Sequence, residues 1–413
     1  MQTVRGLGHL LASLAGIAIG LSLSIGLVGL TRPAPLPTQL VALPGRLLAE
    51  ADGGIEVLVL HFVPELLPIV EAPYRDLLAT LSPETRVVIL LRTGGPNDSG
   101  EAVSSLDSFL RQVDPTGALR GRTQIVKFPG PMSVWSKDRA LVLAPQHGQR
   151  GAELLVGLPP DPQWPERLGD WQTPHQLAAA APDEYRVRKL PLCFDAGDFA
   201  VGQRHVLVDV GLFEKNRNLG FGSPEALRSW LQQLLGRAVL MLGQRDGDVP
   251  RHHLSMYLTP LGTGSGEVIL LGDPRPALEL VGRAFEPGEL SPDTGQPLRA
   301  DFSATTIARY DRVERELRAA GYRVARVPTV VFDDKTYLTY TNGVFETRAG
   351  IRIAWVPSYG FEQLDQAAVE QYERLGWTVR PVRVRRVYPF HGTIGCLVNV
   401  LARSPGGQQA PTS

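Results

Sequence analysis

From residue 54 onward the chain alternates short, densely apolar runs with longer segments whose apolar positions recur every three or four residues. The runs IEVLVLHFV (55–63), RVVILLR (86–92), TQIVKF (123–128) and RALVLAP (139–145) read as strands. Leu106, Phe109, Leu110 and Val113 share one face at helical spacing and predict a helix over 99–113. The rhythm continues with strands in FAVGQRHVLVDVG (199–211), a helix over SPEALRSWLQQLLG (223–236), and strands at AVLML (238–242) and GEVILLG (266–272). Ile307, Tyr310, Val313 and Leu317 mark a helix over 303–320, followed by strands YRVARVP (322–328) and TYLTYTNGVFET (336–347). A last unit runs IRIAWVPSYG (351–360), a helix EQLDQAAVEQYERLG (362–376), TVRPVRV (378–384) and a strand holding Cys396. The predicted class is α/β, a unit of two or three strands and a helix recurring about five times in rhythm without repeated letters. The Gly- and Pro-rich stretch 286–298 reads as a loop inside the domain.

The N-terminus breaks this pattern. Leu7 to Leu30 carries no Asp, Glu, Lys or Arg, Arg5 precedes it, and the run is long enough to cross a bilayer as a helix. A proline-rich stretch follows, beginning TRPAPLP (31–37). Residues 1–31 are therefore expected to be a transmembrane signal-anchor, 32–53 a linker, 54–404 the folded domain and 405–413 a flexible tail. No small-x-small cleavage site ends the apolar run, which favours an uncleaved anchor holding the large domain outside the membrane, in the periplasm or beyond the cell.

Composition narrows the function classes. Forty-two basic residues balance forty-two acidic ones, so no net field draws the chain to nucleic acid, and Arg383, Arg385 and Arg386 alternate as on a solvated strand edge. Two cysteines, Cys193 and Cys396, allow at most one disulfide and exclude a disulfide-built scaffold.

Reactive residue types concentrate in four segments: VWSKDRALVLAP with Trp135 and Asp138, CFDAGDFAVG with Asp195 and Asp198, RHHLSMYLTPLG with His252 and His253, and HGTIGC ending on Cys396. Each taken alone has an ordinary structural reading as a turn, an ion pair or a core residue, and the His pair lacks further ligands at zinc spacing.

Together these segments resemble the guanidino-group-modifying (pentein) superfamily, of the agmatine deiminase and peptidyl-arginine deiminase type. Trp135 to Asp138 matches that family's Trp-x-x-Asp. Asp195 to Asp198 matches its Glu-Gly-Gly-Asn/Asp, with aspartate for the glutamate and Ala196 for the first glycine. His253-Leu254-Ser255 matches its His-x-Asp, and YTNGVF, VPSYG and HGTIGC follow in the family's order. The resemblance spans roughly residues 55 to 402 and implies a five-bladed α/β propeller with pseudo-fivefold symmetry. It implies a C–N hydrolase on linear amidines, with Cys396, His253 and Asp195 catalytic, with Asp138, Trp135, Asp198 and Ser255 binding substrate, and with no metal or organic cofactor. The implied partners are a guanidino or peptidyl-arginine substrate and, through the N-terminal helix, the membrane.

Two positions depart from the pattern. Ser255 replaces a guanidinium-gripping aspartate and is expected to weaken substrate affinity. Gly395 stands where many relatives have a histidine, with His391 nearby in sequence as a partial substitute. The alternatives are a propeller that binds arginine-like ligands without turnover, or an amidinotransferase or dimethylarginine hydrolase-like enzyme. Cys193 reads as a core residue beside the Asp195 loop, with a disulfide to Cys396 left open.

Overall fold

A computed structural model describes residues 42–94, 100–144, 151–160, 165–262 and 267–404. The expected membrane-spanning segment, the first ten linker residues and the tail lie outside these residues. Among the described residues no helix is long and apolar enough to cross a membrane.

Seventeen strands are described: β1 Ile55–Phe62, β2 Arg86–Arg92, β3 Thr123–Phe128, β4 Leu141–Leu143, β5 Ala152–Val156, β6 Tyr185–Lys189, β7 Ala200–Val201, β8 Val206–Asp209, β9 Val239–Leu242, β10 Leu258–Leu261, β11 Val268–Asp273, β12 Arg323–Phe332, β13 Thr336–Thr339, β14 Val344–Arg348, β15 Ile351–Ser358, β16 Thr378–Arg383 and β17 Val398–Arg403. They form five separate sheets, ordered β17-β1-β2-β3, β4-β5-β6, β7-β8-β9, β10-β11-β12-β13 and β14-β15-β16. Every sheet repeats one local plan. An edge strand pairs antiparallel with the next strand, and that strand pairs parallel with a third. The parallel pairs need crossovers, which is where helices such as Leu67–Leu78, Pro224–Leu235, Ala304–Ala319 and Glu362–Arg374 fall. In the first sheet the edge strand comes from the far end of the chain, so β17 against β1 joins the C-terminal segment to the N-terminal unit.

Local sequence accounts for these elements. Central strand β2 is buried at all five of its apolar positions, the continuous pattern of a parallel strand covered on both faces. Helix Pro224–Leu235 starts with Ser223 Oγ accepting from the Ala226 amide and stops at Gly236 in the left-handed region, φ 58°. The stretch 286–298 is irregular, apart from a bridge between Leu290 and Pro297.

Four expectations change. The predicted strand 336–347 is two strands, β13 and β14, belonging to different sheets. The break falls at Tyr340–Gly343, where a Cβ on Gly343 would lie 2.7 Å from the Trp355 carbonyl oxygen. Cys396 lies not in a strand but in a helical turn, Ile394–Leu397, immediately before β17. Residues 42–53, expected as linker, are docked: Leu43, Leu47 and Ala51 are buried, and the Leu43, Leu48 and Glu50 amides donate to Leu234, Val142 and Val201. Finally, a helix over Pro165–Ala180 has no counterpart in the apolar pattern, because Gly169, Pro174 and scattered polar residues leave it no continuous stripe.

Candidate active site

The reactive segments occupy equivalent places in the five sheets. Each lies just before the antiparallel edge strand: Asp138 before β4, Asp195 before β7, His253 before β10, Asn342 before β14 and Cys396 before β17. Hydrogen bonds link these five segments into a closed circuit. The Lys137 amide donates to the Cys396 carbonyl (3.2 Å) and the Ala196 amide to the Asp138 carbonyl (2.7 Å). His253 Nε2 lies 3.5 Å from Asp195 Oδ2. Asn342 Nδ2 donates to Ser255 Oγ (2.8 Å), and the Gly395 amide donates back to the Asn342 carbonyl (3.2 Å). Residues as far apart in sequence as 138 and 396 are thereby held at one place.

The circuit surrounds a pocket of about 450 Å³ lined by Trp135, Asp138, Asp195, His253 and Cys396, with Arg167 and Lys215 also on its wall. Cys396, Asp138 and His253 are 3%, 4% and 6% exposed, which puts them at the closed end. Cys396 Sγ donates to Asn342 Oδ1 over 3.4 Å, and the same oxygen accepts from Thr393 Oγ1 at 2.6 Å. His253 Nδ1 faces Asp138 Oδ1 at 3.9 Å, beyond hydrogen-bond reach.

The motif glycines are explained by contact. A Cβ on Gly197 would lie 2.6 Å from the His253 ring, and one on Gly392 would lie 2.5 Å from the Trp135 ring. A Cβ on Gly395 would come within 2.9 Å of Asn342 Oδ1 and of the Gly343 carbonyl oxygen. A histidine at 395 is therefore incompatible with Asn342 as placed, while His391 lines the same pocket with its ring on Thr336 and Asp293.

Charge sets the protonation states. Burial disfavours the His253 imidazolium, but the Asp138 charge, the bond to Asp195 and the Cys396 sulfur outweigh it and push its pKa up to about 10. Burial also opposes ionisation of Asp195, yet its bond to His253 and the charges of Lys215, His253 and Arg139 hold its carboxyl well below the usual range. His252, stacked on His253 with ring centroids 4.3 Å apart, is kept neutral by burial and by its charged neighbour.

Of the residues singled out from sequence, Cys396, His253, Asp195, Asp138, Asp198, Trp135, His252 and His391 line this pocket. Asp198 is engaged by Lys215 Nζ at 2.7 Å and by the Asp195 amide at 2.9 Å. Ser255 is not brought to the pocket wall: it is buried, and its hydroxyl accepts from Asn342. Cys193 and Cys396 are both free, and the Asn216 side chain bonds the amide and carbonyl of Cys193.

Sequence reading missed three participants. Asn342 was visible within YTNGVF but carried no assigned role. Lys215 follows β8 on the helix Val210–Asn216 and gave no signal. Arg167 lies in the first turn of the unpredicted helix, which is docked by buried Asp170 accepting from the Ser133 amide (2.8 Å) and hydroxyl (2.6 Å). Arg167 Nη1 reaches Asp138 Oδ2 at 2.7 Å and its Nη2 reaches Asp195 Oδ1 at 3.1 Å. Donor atoms of Asp138, Asp195 and His253 lie within 4.8 Å of one another, a spacing a metal ion could bridge, but the two carboxylates are already held by arginine and lysine groups.

No family model and no curated protein matches the sequence. Solved structures do match in fold. The agmatine deiminase of C. jejuni superposes with a TM-score of 0.60 at 14% identity, covering 89% of this chain and 99% of its own. Agmatine deiminase of Enterococcus faecalis gives 0.60 at 14% identity, covering 90% and 100%. A protein provisionally assigned as a peptidyl-arginine deiminase gives 0.59 at 16% identity, covering 87% and 99%. The chain has the α/β fold of these deiminases along nearly their whole length.

Proposed function

We propose that the protein is a guanidino C–N hydrolase, a deiminase acting on arginine derivatives or peptidyl-arginine through a covalent thiouronium on Cys396. One observation carries this reading: a buried cysteine, a histidine and two carboxylates, from segments that precede the edge strands of separate sheets, line one pocket. The fold shared with agmatine deiminases supports it. The repeated sheet plan and the closed hydrogen-bond circuit support the finer architecture, a pseudo-fivefold propeller over 54–404.

In this mechanism Asp138 and Asp195 grip the planar guanidinium side by side through charge-assisted hydrogen bonds. The cation favours the Cys396 thiolate, whose proton passes to solvent, and sulfur attacks the central carbon. His253, cationic at neutral pH, protonates the departing nitrogen as the C–N bond breaks, and ammonia leaves. Water then adds to the thiouronium carbon and gives a proton to the now neutral His253. The C–S bond breaks, returning the thiolate and a urea product, so guanidinium and water yield urea and ammonium. Asn342 acts as a positioning residue, aiming the sulfur through its side-chain oxygen. The apolar run 7–30 supports a membrane-anchored chain with this domain exported.

Binding without turnover is the second reading, and Arg167 on both carboxylates favours it. Ammonium release from a series of alkyl, amino and carboxylated guanidines separates the two. Release by the wild-type chain, lost in Cys396→Ala with binding intact, is expected. Binding without release from any compound would establish the second reading, and absence of both would refute the guanidino assignment.

A further inference from the structure

Four carboxylates face the pocket, Asp138, Asp195, Asp198 and Asp209. Arg167, Lys215 and protonated His253 face them there, and Arg139 Nη1 lies against Asp195 Oδ1 at 2.9 Å. The four wall carboxylates are matched by these four cations, and buried Asp170, 3.9 Å from Arg167, adds one further carboxylate, so the negative field left for an unaccompanied cation is small. The balance is also graded with depth. Cys396 and His253 are 3% and 6% exposed, whereas the Arg167 and Lys215 side chains are 29% and 38% exposed, toward the mouth.

A guanidinium entering to meet Cys396 must take Asp138 and Asp195 from Arg167, whose guanidinium now bridges both. Arg167 then loses both hydrogen-bonded counter-ions and keeps only Asp170, 3.9 Å away and already bonded to Ser133, so an anion at the mouth would replace the lost partners. The substrate's trailing end is the group that arrives at the mouth as this happens. Lys215 stands there as a second cation, with Nζ 3.2 Å from Asp195 Oδ2.

We infer that Arg167 and Lys215 determine specificity, selecting guanidino compounds whose far end carries a carboxylate or other anion and rejecting those whose far end carries an amine. This rests on the guanidino reading above and adds the substrate class. It also separates this chain from a site built for a dicationic aminoalkyl guanidine. Such a ligand would bring a second positive charge to the two cations at the mouth.

The experiment measures binding of three probes of similar length to the full chain by calorimetry: 4-guanidinobutyrate, butylguanidine and 4-aminobutylguanidine. Cys396→Ala prevents turnover during the measurement. The expected order is carboxylate tightest, alkyl intermediate and amine weakest, with about tenfold or more between the ends. Arg167→Gln should shrink that spread and tighten butylguanidine, because the clamp is no longer occupied. Arg167→Lys keeps the charge and should preserve the preference for the carboxylate. If 4-aminobutylguanidine binds as tightly as 4-guanidinobutyrate to the chain with Arg167 intact, the inference is wrong whatever the variants do. An unchanged spread in a folded Arg167→Gln protein overturns the role of Arg167. If none of the three probes binds, the guanidino reading falls and takes this inference with it.

Discussion

His253 couples the chemistry of the site to the stability of the fold. Its ordinary pKa is 6.5, and in the folded protein Asp138, Asp195 and the Cys396 sulfur raise it to about 10 against the opposing effect of burial. A group whose folded value is raised stabilises the native state fully below its unfolded pKa and loses that contribution as pH climbs through the folded value. The window is therefore pH 6.5 to about 10. At about 1.4 kcal/mol per pH unit, the interval sets an upper bound of about 5 kcal/mol for this one imidazolium. His253→Gln removes the titration while keeping a polar side chain of similar reach. Urea unfolding of both proteins at about pH 6, 8 and 10 isolates the effect, since other titrating groups are common to the two. The wild-type protein should lose on the order of 2–5 kcal/mol more than the variant across that range. Parallel stability curves would refute the claim that His253 is held as a cation by its two carboxylates. If the curves do diverge, the alkaline limb of ammonium release should follow the same titration, because the acid that protonates the leaving nitrogen is the same group.

Asn342→Ala strips partners from the Ser255 and Thr393 hydroxyls and from Cys396 at once; it should cost about 1–3 kcal/mol in thermal or urea unfolding and slow turnover well beyond the effect of that lost stability. Ser255→Asp should destabilise the protein without improving guanidinium affinity, because position 255 is buried against Asn342 and an aspartate there would be a charge without a cation; tighter guanidinium binding by a stable variant would contradict this. Alkylation by a haloacetamidine followed by peptide mapping should modify Cys396 in preference to Cys193, whose thiol is pushed up by burial. Preferential labelling of Cys193 would reverse the assignment of the nucleophile.

Most of the central strands and several amphipathic helices were legible because their signals are local, whereas the strands Ala152–Val156 and Tyr185–Lys189 and the helix Leu67–Leu78 were not read. The apolar run 86–92 makes β2 whatever surrounds it, and Ile307, Tyr310, Val313 and Leu317 state the buried face of their helix within three turns. The short motifs around Trp135, Asp195, His253 and Cys396 were legible as a family resemblance, and these residues do line one pocket. The partners of those residues were not legible. The break between β13 and β14 depends on Gly343 lying against the Trp355 carbonyl, a contact from another strand that no alternation of letters records. The Ser255 hydroxyl is committed to Asn342, and the same Asn342 leaves no space for a side chain at Gly395; neither contact is written in the letters around those positions. The helix carrying Arg167 has no apolar stripe to announce it and is fixed by Asp170 on Ser133 and by Gly169 against Pro131. Periodicity determined those strands and helices whose buried face is continuous along the chain, because burial of such a face is written in neighbouring residues. Only the tertiary structure decided how the acidic site is neutralised, because ion pairs such as Arg167 with Asp138 and Asp195 join residues whose proximity exists only after the sheets assemble.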